Sequence, residues 1–273
     1  MFLGRSGAAC RYIRPMQRLG SPRNAWHVDA GRADLVRRRA EPRPVRFPAA
    51  PQELVVDLAR SALVVVDMQN DFCHEAGWLG HVGVDVSPTR SLVEPVDRCA
   101  RAVRDAGVPV IWLNWGNRPD RANLPPNVVH VYNRDGQGVG LGDPLPGSGS
   151  PVLERGSWSA GLVDGLAAEP GDLRVDKYRM SGFVDTELDG VLRNLDVTTI
   201  LFAGVNVDQC VLATLTDAAC LGYDCVLLDD CCATTSPAFC AEAARYNVAQ
   251  CFGFVARSTD LVAGIAALQA GAA

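Results

Sequence analysis

Ala62-Leu63-Val64-Val65-Val66, followed at once by Asp67, is a short and wholly apolar run with a carboxylate at its exit. A run this brief, rich in β-branched residues and without polar alternation, suits a strand buried on both faces, as strands of parallel sheets are. Val108-Pro109-Val110-Ile111-Trp112-Leu113, Thr199-Ile200-Leu201-Phe202-Ala203 and Cys225-Val226-Leu227-Leu228 repeat the pattern, and residues 172–175 form a further candidate. Between these runs, residues 90–106, 186–195, 209–221 and 237–247 carry helical periodicity, with Gly107 and Gly222 placed as left-handed stops. Strand and helix in alternation predict a doubly wound α/β sheet with helices on both faces. Residues 116–151 interrupt it with a stretch rich in Gly, Pro and Asn, whose length suits a lid over a binding site.

Ligands of such sheets sit at the carboxyl ends of the strands. Asp67 ends one strand, and Cys210 follows another through Val205-Asn206-Val207-Asp208-Gln209. Lys177 lies just past the 172–175 candidate and is the one lysine among 26 Lys and Arg residues. In a chain that uses Arg for nearly every cation, a retained ammonium points to chemistry that needs a compact, adjustable donor. Cys210 opens the 209–221 helix, where the positive helix end is expected to lower its pKa and the backbone N–H groups to form the outline of an oxyanion hole. Cys231 and Cys232, also past a strand, are the rival nucleophiles.

The strings Val64-Val65-Val66-Asp67-Met68-Gln69-Asn70-Asp71-Phe72, Lys177-Tyr178-Arg179-Met180-Ser181-Gly182-Phe183 and Gly204-Val205-Asn206-Val207-Asp208-Gln209-Cys210-Val211 resemble the isochorismatase-like cysteine hydrolase superfamily, in consistent order over residues 62–255. The resemblance implies a three-layer α/β/α fold with a Rossmann-like six-stranded parallel sheet and an Asp67, Lys177, Cys210 catalytic set. It also implies an oxyanion hole from the N–H groups of Val207 and Cys210, and a cis Asn206–Val207 bond. Asp67 would act as general base, Lys177 would hold the charge of the pair, and Cys210 would form a thioester. Glu154-Arg155-Gly156-Ser157-Trp158 and the Lys177 string are most similar to ureidoacrylate amidohydrolases, implying a cysteine-dependent amidohydrolase of a small ureido or carbamoyl amide. Lactam- and nicotinamide-type hydrolases of the same family, and a non-catalytic binding module, are the alternatives. Isochorismatases proper lack the Cys. The nicotinamidase-type metal site needs an Asp-x-His and a further His, which Asn114-Trp115-Gly116-Asn117-Arg118-Pro119-Asp120 does not supply. No metal and no cofactor are therefore expected. Phe72, Trp78, Asn114, Trp115, Asn117, Tyr178 and Phe183 are the expected substrate-binding residues, amides for a urea-like group and rings for walls.

A hydrophobic share of 48% and a net charge of −5 describe a globular chain, and no stretch is apolar enough for a membrane span. The charge is uneven: residues 1–50 carry eleven Arg against Asp29, Asp34 and Glu41, a net of +8 that leaves −13 on the rest, so the main domain has no nucleic-acid footprint. Residues 1–54 read as an Arg/Pro-rich extension, either disordered or an arm anchored by Trp26-His27-Val28, 55–258 as the hydrolase domain, and 259–273 as a terminal helix or tail. Ten cysteines without a Cys-x-x-Cys pair suggest free thiols in a reduced, cytoplasmic protein. The expected partner is a small-molecule amide substrate, with no nucleic acid and no membrane, and the expected assembly is a homo-oligomer, dimer or tetramer.

Overall fold

The computed structural model describes residues 15–271. They divide into two compact units, one running up to Ala40 and one starting at Glu41. Residues 1–14 of the expected extension lie outside the described residues. The rest of the first unit is an antiparallel sheet of Gln17–Ser21, Asn24–Val28 and Ala33–Asp34. Within it the Arg37 guanidinium lies 6.0 Å from the Trp26 ring centroid and its Nε donates to Asn24 Oδ1 at 2.7 Å.

The second unit is built on six parallel strands: β1 (Ser61–Val66), β2 (Val110–Trp115), β3 (Leu173–Lys177), β4 (Thr199–Gly204), β5 (Asp224–Cys232) and β6 (Phe254–Ala256). They lie in the order 3-2-1-4-5-6, and a short antiparallel pair with Ala49–Ala50 extends the β6 edge to make seven strands. The crossovers are α1 (Val93–Asp105), α2 (Leu188–Asn194), α3 (Leu212–Cys220) and α4 (Ala238–Asn247), with α5 (Ser258–Gly271) at the end. β1 and β4 are buried at every position because helices cover both faces. α1 turns Val96, Cys99, Ala100 and Val103 inward at helical spacing. The described cysteines are all free, and Cys99, Cys225, Cys231 and Cys232 are buried as small apolar side chains.

The domain begins earlier than the sequence pattern suggests. Pro44–Phe47 pairs antiparallel with Leu54–Asp57, and Val45 and Phe47 are each 2% exposed. These residues belong to the core and not to an extension. α5 buries Leu261 and Ile265 and packs on Pro44–Phe47 and α1, so it closes the domain instead of trailing from it. Among the described residues no helix is long and apolar enough to cross a membrane.

Register fixes what meets at the carboxyl edge. β1 and β4 run side by side with Val66 opposite Gly204, at the point where the strand order reverses. β2 and β3 end with Trp115 opposite Lys177. Gly204 has φ +112°, and a Cβ there would stand 2.0 Å from the Val66 carbonyl oxygen. Only glycine lets β4 come this close to β1 just before Asp67. Gly204→Ala should therefore destabilise the fold by about 3 kcal/mol or more, read as a lowered urea midpoint; an unchanged midpoint would show that the two strand ends have room to separate.

Candidate active site

Asp67, the first residue after β1, adopts φ +51°, a left-handed conformation unusual for a side-chain-bearing residue. Its N–H donates to the Leu113 carbonyl of β2. The carboxylate Oδ2 lies 2.8 Å from Lys177 Nζ, at the end of β3, and the two side chains are 1% and 0% exposed. The ammonium also donates to the Arg179 carbonyl at 3.2 Å and sits 4.5 Å from the Trp115 ring centroid. The ion pair thus spans β2, with the Trp115 ring as part of its enclosure.

Cys210 lies close enough to Asp67 and Lys177 for both to act electrostatically on its thiol, and its Sγ is 3.8 Å from Met180 Sδ. It lies in a wide turn, Val207–Val211, that leads directly into α3. Such π-type turns are frequent at functional sites. The sequence expectation of a low-pKa thiol is reversed: burial pushes Cys210 up to about 12, and the Asp67 carboxylate raises it while Lys177 lowers it. Burial of the sulfur is the largest of these causes, because it leaves a thiolate little water to share its charge. Burial likewise raises the Asp67 carboxyl above its ordinary value, against the lowering effect of Lys177. Burial pulls the Lys177 ammonium down, but Asp67 and Cys210 together hold it above its ordinary value. With its pKa pushed up in this way, the Cys210 sulfur rests as a thiol at neutral pH.

Two expectations for the nucleophile's turn are corrected. The cis bond is Val205–Asn206, one bond earlier than expected. It falls where the β1–β4 ladder ends, since the Val205 N–H still donates to the Val66 carbonyl. The Val207 N–H donates to the Ala233 carbonyl at 2.9 Å, so it is already committed within the protein. The rival thiols Cys231 and Cys232 are as buried as Cys210 but border no part of the cavity beside it, and Cys232 Sγ donates to the Phe202 carbonyl at 3.7 Å.

The cavity beside Cys210 is walled by Phe72, Trp78, Trp115, Val131, Tyr132, Leu141, Leu153, Met180 and Gln209, and its free volume is about 20 Å³. Of the expected substrate residues, Phe72, Trp78 and Trp115 are there. Asn114 is not: it precedes Trp115 in β2, and strand alternation sends the two side chains to opposite faces. Asn117 is wholly buried, with neither amide atom paired, but it lies outside the cavity wall. Tyr178 turns away, its hydroxyl donating to the Asp185 carbonyl at 3.0 Å, and Phe183 packs on Tyr223 with centroids 5.9 Å apart. The walls that sequence reading missed come from residues 131–153, which have no periodicity, and from Met180 and Gln209, which lie inside quoted strings.

Polar struts hold this wall. Gln69 Nε2 donates to the Trp115 and Ala160 carbonyls at 2.8 and 2.7 Å, and its Oε1 accepts from the Trp115 N–H at 2.8 Å. Asp71, fully buried, accepts from the N–H groups of Trp78 and Leu153 at 3.0 and 2.9 Å. Asn70 Nδ2 donates to the Trp158 carbonyl. Residues 69–71 thereby tie the long 116–172 connection to the end of β1.

A family model described as the isochorismatase domain matches residues 61–260. The chain is 37% identical over 216 residues to the ureidoacrylate amidohydrolase RutB of Stutzerimonas stutzeri, covering 78% of this chain and 85% of that one. It is 33% identical over 213 residues to the protein of the same name from Klebsiella variicola, covering 77% and 89%. A crystal structure of a cysteine hydrolase from Pseudomonas syringae pv. phaseolicola superposes with a TM-score of 0.67 at 28% identity, covering 84% of this chain and 99% of that one.

Lys177 has no room for a larger head group, being fully buried beneath Trp115. Lys177→Arg keeps the charge but replaces a compact donor with a planar fork. Its turnover should fall by well over tenfold, a loss above ~1.4 kcal/mol of transition-state stabilisation; a variant keeping more than about a tenth of the wild-type rate would show that only the charge matters.

Proposed function

The chain belongs to the isochorismatase family, and from that premise we propose that it hydrolyses the C–N bond of a small ureido or carbamoyl amide through a thioester on Cys210. Membership and the amidohydrolase relatives make it a hydrolase acting on C–N bonds; the nucleophile and the substrate class are our reading. The observation that carries it is the closed group of Cys210, Asp67 and Lys177 at the β1/β4 switch point, with a cavity against the sulfur.

In this reading Asp67 takes the thiol proton as Cys210 Sγ attacks the amide carbonyl carbon. The raised proton affinity of the buried carboxyl suits it to that task. Lys177, held as an ammonium, offsets negative charge as it passes from carboxylate to sulfur to the carbonyl oxygen. The Cys210 N–H, in the turn that leads into α3, is the oxyanion donor retained from the expected pair. Collapse of the tetrahedral species expels the nitrogen, which takes the proton back from Asp67. Water, activated by the same carboxylate, then cleaves the thioester and restores the thiol. Trp115 lines the cavity and its buried Nε1–H has no acceptor in the protein, so it is a donor available to the substrate's second polar group. The aromatic and aliphatic walls favour a planar, compact substrate.

The test is ammonia release from ureidoacrylate, biuret, N-carbamoyl amino acids, nicotinamide and lactams, with wild type and Cys210→Ser, each with and without EDTA. The ureido and carbamoyl compounds should lead the panel, chelator should have no effect, and Cys210→Ser should lose at least ~1,000-fold in rate while keeping its fold. An active Ser variant would remove Cys210 as nucleophile. Preference for nicotinamide, or loss of activity in EDTA, would place the substrate reading in the wrong branch of the family.

A further inference from the structure

The free volume beside Cys210, about 20 Å³, accommodates a water molecule and nothing the size of an amide substrate. A second, far larger hollow of about 1050 Å³ lies outside it, bordered among others by His130, Leu212 and Thr216. Cys210 borders only the inner cavity, while Val131, Tyr132, Met180 and Gln209 border both. These four residues are the partition between the nucleophile and the outer groove.

The partition has fixed and movable parts. Gln209 is anchored: its N–H donates to the Asn206 carbonyl at 3.0 Å and its Nε2 to Ser236 Oγ at 3.2 Å. Tyr132 belongs to the long 116–172 connection, adopts φ +57°, and is 39% exposed. Its hydroxyl donates to Gln209 Oε1 at 3.1 Å, and its ring meets Trp78 edge-to-face with centroids 5.6 Å apart. Met180 Sδ lies 3.8 Å from Cys210 Sγ on an unbranched, flexible side chain. One hydrogen bond and one ring contact thus hold the Tyr132 side chain across the way to the sulfur.

We propose that Tyr132 is the specificity-determining gate of this enzyme: substrate reaches Cys210 from the outer groove by displacing Tyr132 and Met180, and the size of the acyl group is set by whether Tyr132 can close behind it. The inference rests on Cys210 being the nucleophile of the reading above. Compact acyl groups permit closure and exclude bulk water; longer ones extend into the groove and hold the gate open.

Access to the thiol tests this without any substrate. Wild type, Tyr132→Phe and Tyr132→Ala are alkylated with iodoacetamide and, separately, with fluorescein-5-maleimide. Rates at Cys210 are read by peptide mass mapping against the exposed Cys220 and Cys251. Tyr132→Phe loses the latch but keeps the ring, so iodoacetamide should reach Cys210 about fivefold faster, as loss of one ordinary hydrogen bond allows. Tyr132→Ala should raise the rate of the bulky maleimide at Cys210 by at least ~10-fold, because the open state becomes the populated one. Either variant showing the wild-type relative rate overturns the gate. If the buried Cys225 becomes labelled in Tyr132→Ala, that variant has lost its fold and the Phe variant decides. An active Cys210→Ser enzyme would instead undo the nucleophile assignment and leave the access result standing.

Discussion

The contact on which the rest depends is the buried pair of Asp67 and Lys177, 2.8 Å apart and shut away from solvent. Two charges taken out of water cost several kcal/mol each, and the cost is offset only where geometry and further hydrogen bonds are good. Such a pair is poor evidence for stability in its own right. Here it sits at the end of two strands that are not neighbours, with Trp115 of the intervening strand over the ammonium. The sheet order, the Gly204 approach to Val66 and the left-handed turn at Asp67 all serve to bring those charges together.

Closing the site changes the chemistry asked of the thiol. A helix start alone favours thiolate, whereas burial opposes it, and burial wins by enough to push Cys210 up to about 12. On the proposed mechanism the resting sulfur is a protected thiol, activated only when a carbonyl is at hand to receive the charge. The struts from Gln69, Asn70 and Asp71 make that protection possible, because they hold a wall drawn from a connection with little regular structure of its own.

How far the sequence could be read follows the same physics. That Asp67, Lys177 and Cys210 come together was legible because each lies at or shortly beyond the carboxyl end of a strand, and strand ends of a doubly wound sheet converge. Phe72, Trp78 and Trp115 were legible as rings near those ends. Asn114, Asn117, Tyr178 and Phe183 lie off the cavity wall because nearness in sequence says nothing of which way a side chain faces; the Tyr178 hydroxyl is held by the Asp185 carbonyl. Val131, Tyr132, Leu141 and Leu153 could not be found by pattern, since a connection held by side-chain struts and irregular turns leaves no periodic trace. The sign of the Cys210 shift was unreadable for a related reason: it turns on exclusion of water by residues distant in sequence.

The central claim is a covalent acyl group on one particular sulfur. Mixing the protein with a slowly hydrolysed ureido or carbamoyl amide, quenching in acid and mapping the peptides by mass spectrometry tests it most directly. The peptide containing Cys210 should gain the mass of the acyl group, in up to one equivalent per chain, and Cys210→Ser should show no such thioester. Acylation of Cys231 or Cys232, or steady turnover with no acylated cysteine on any time scale of quenching, would contradict it.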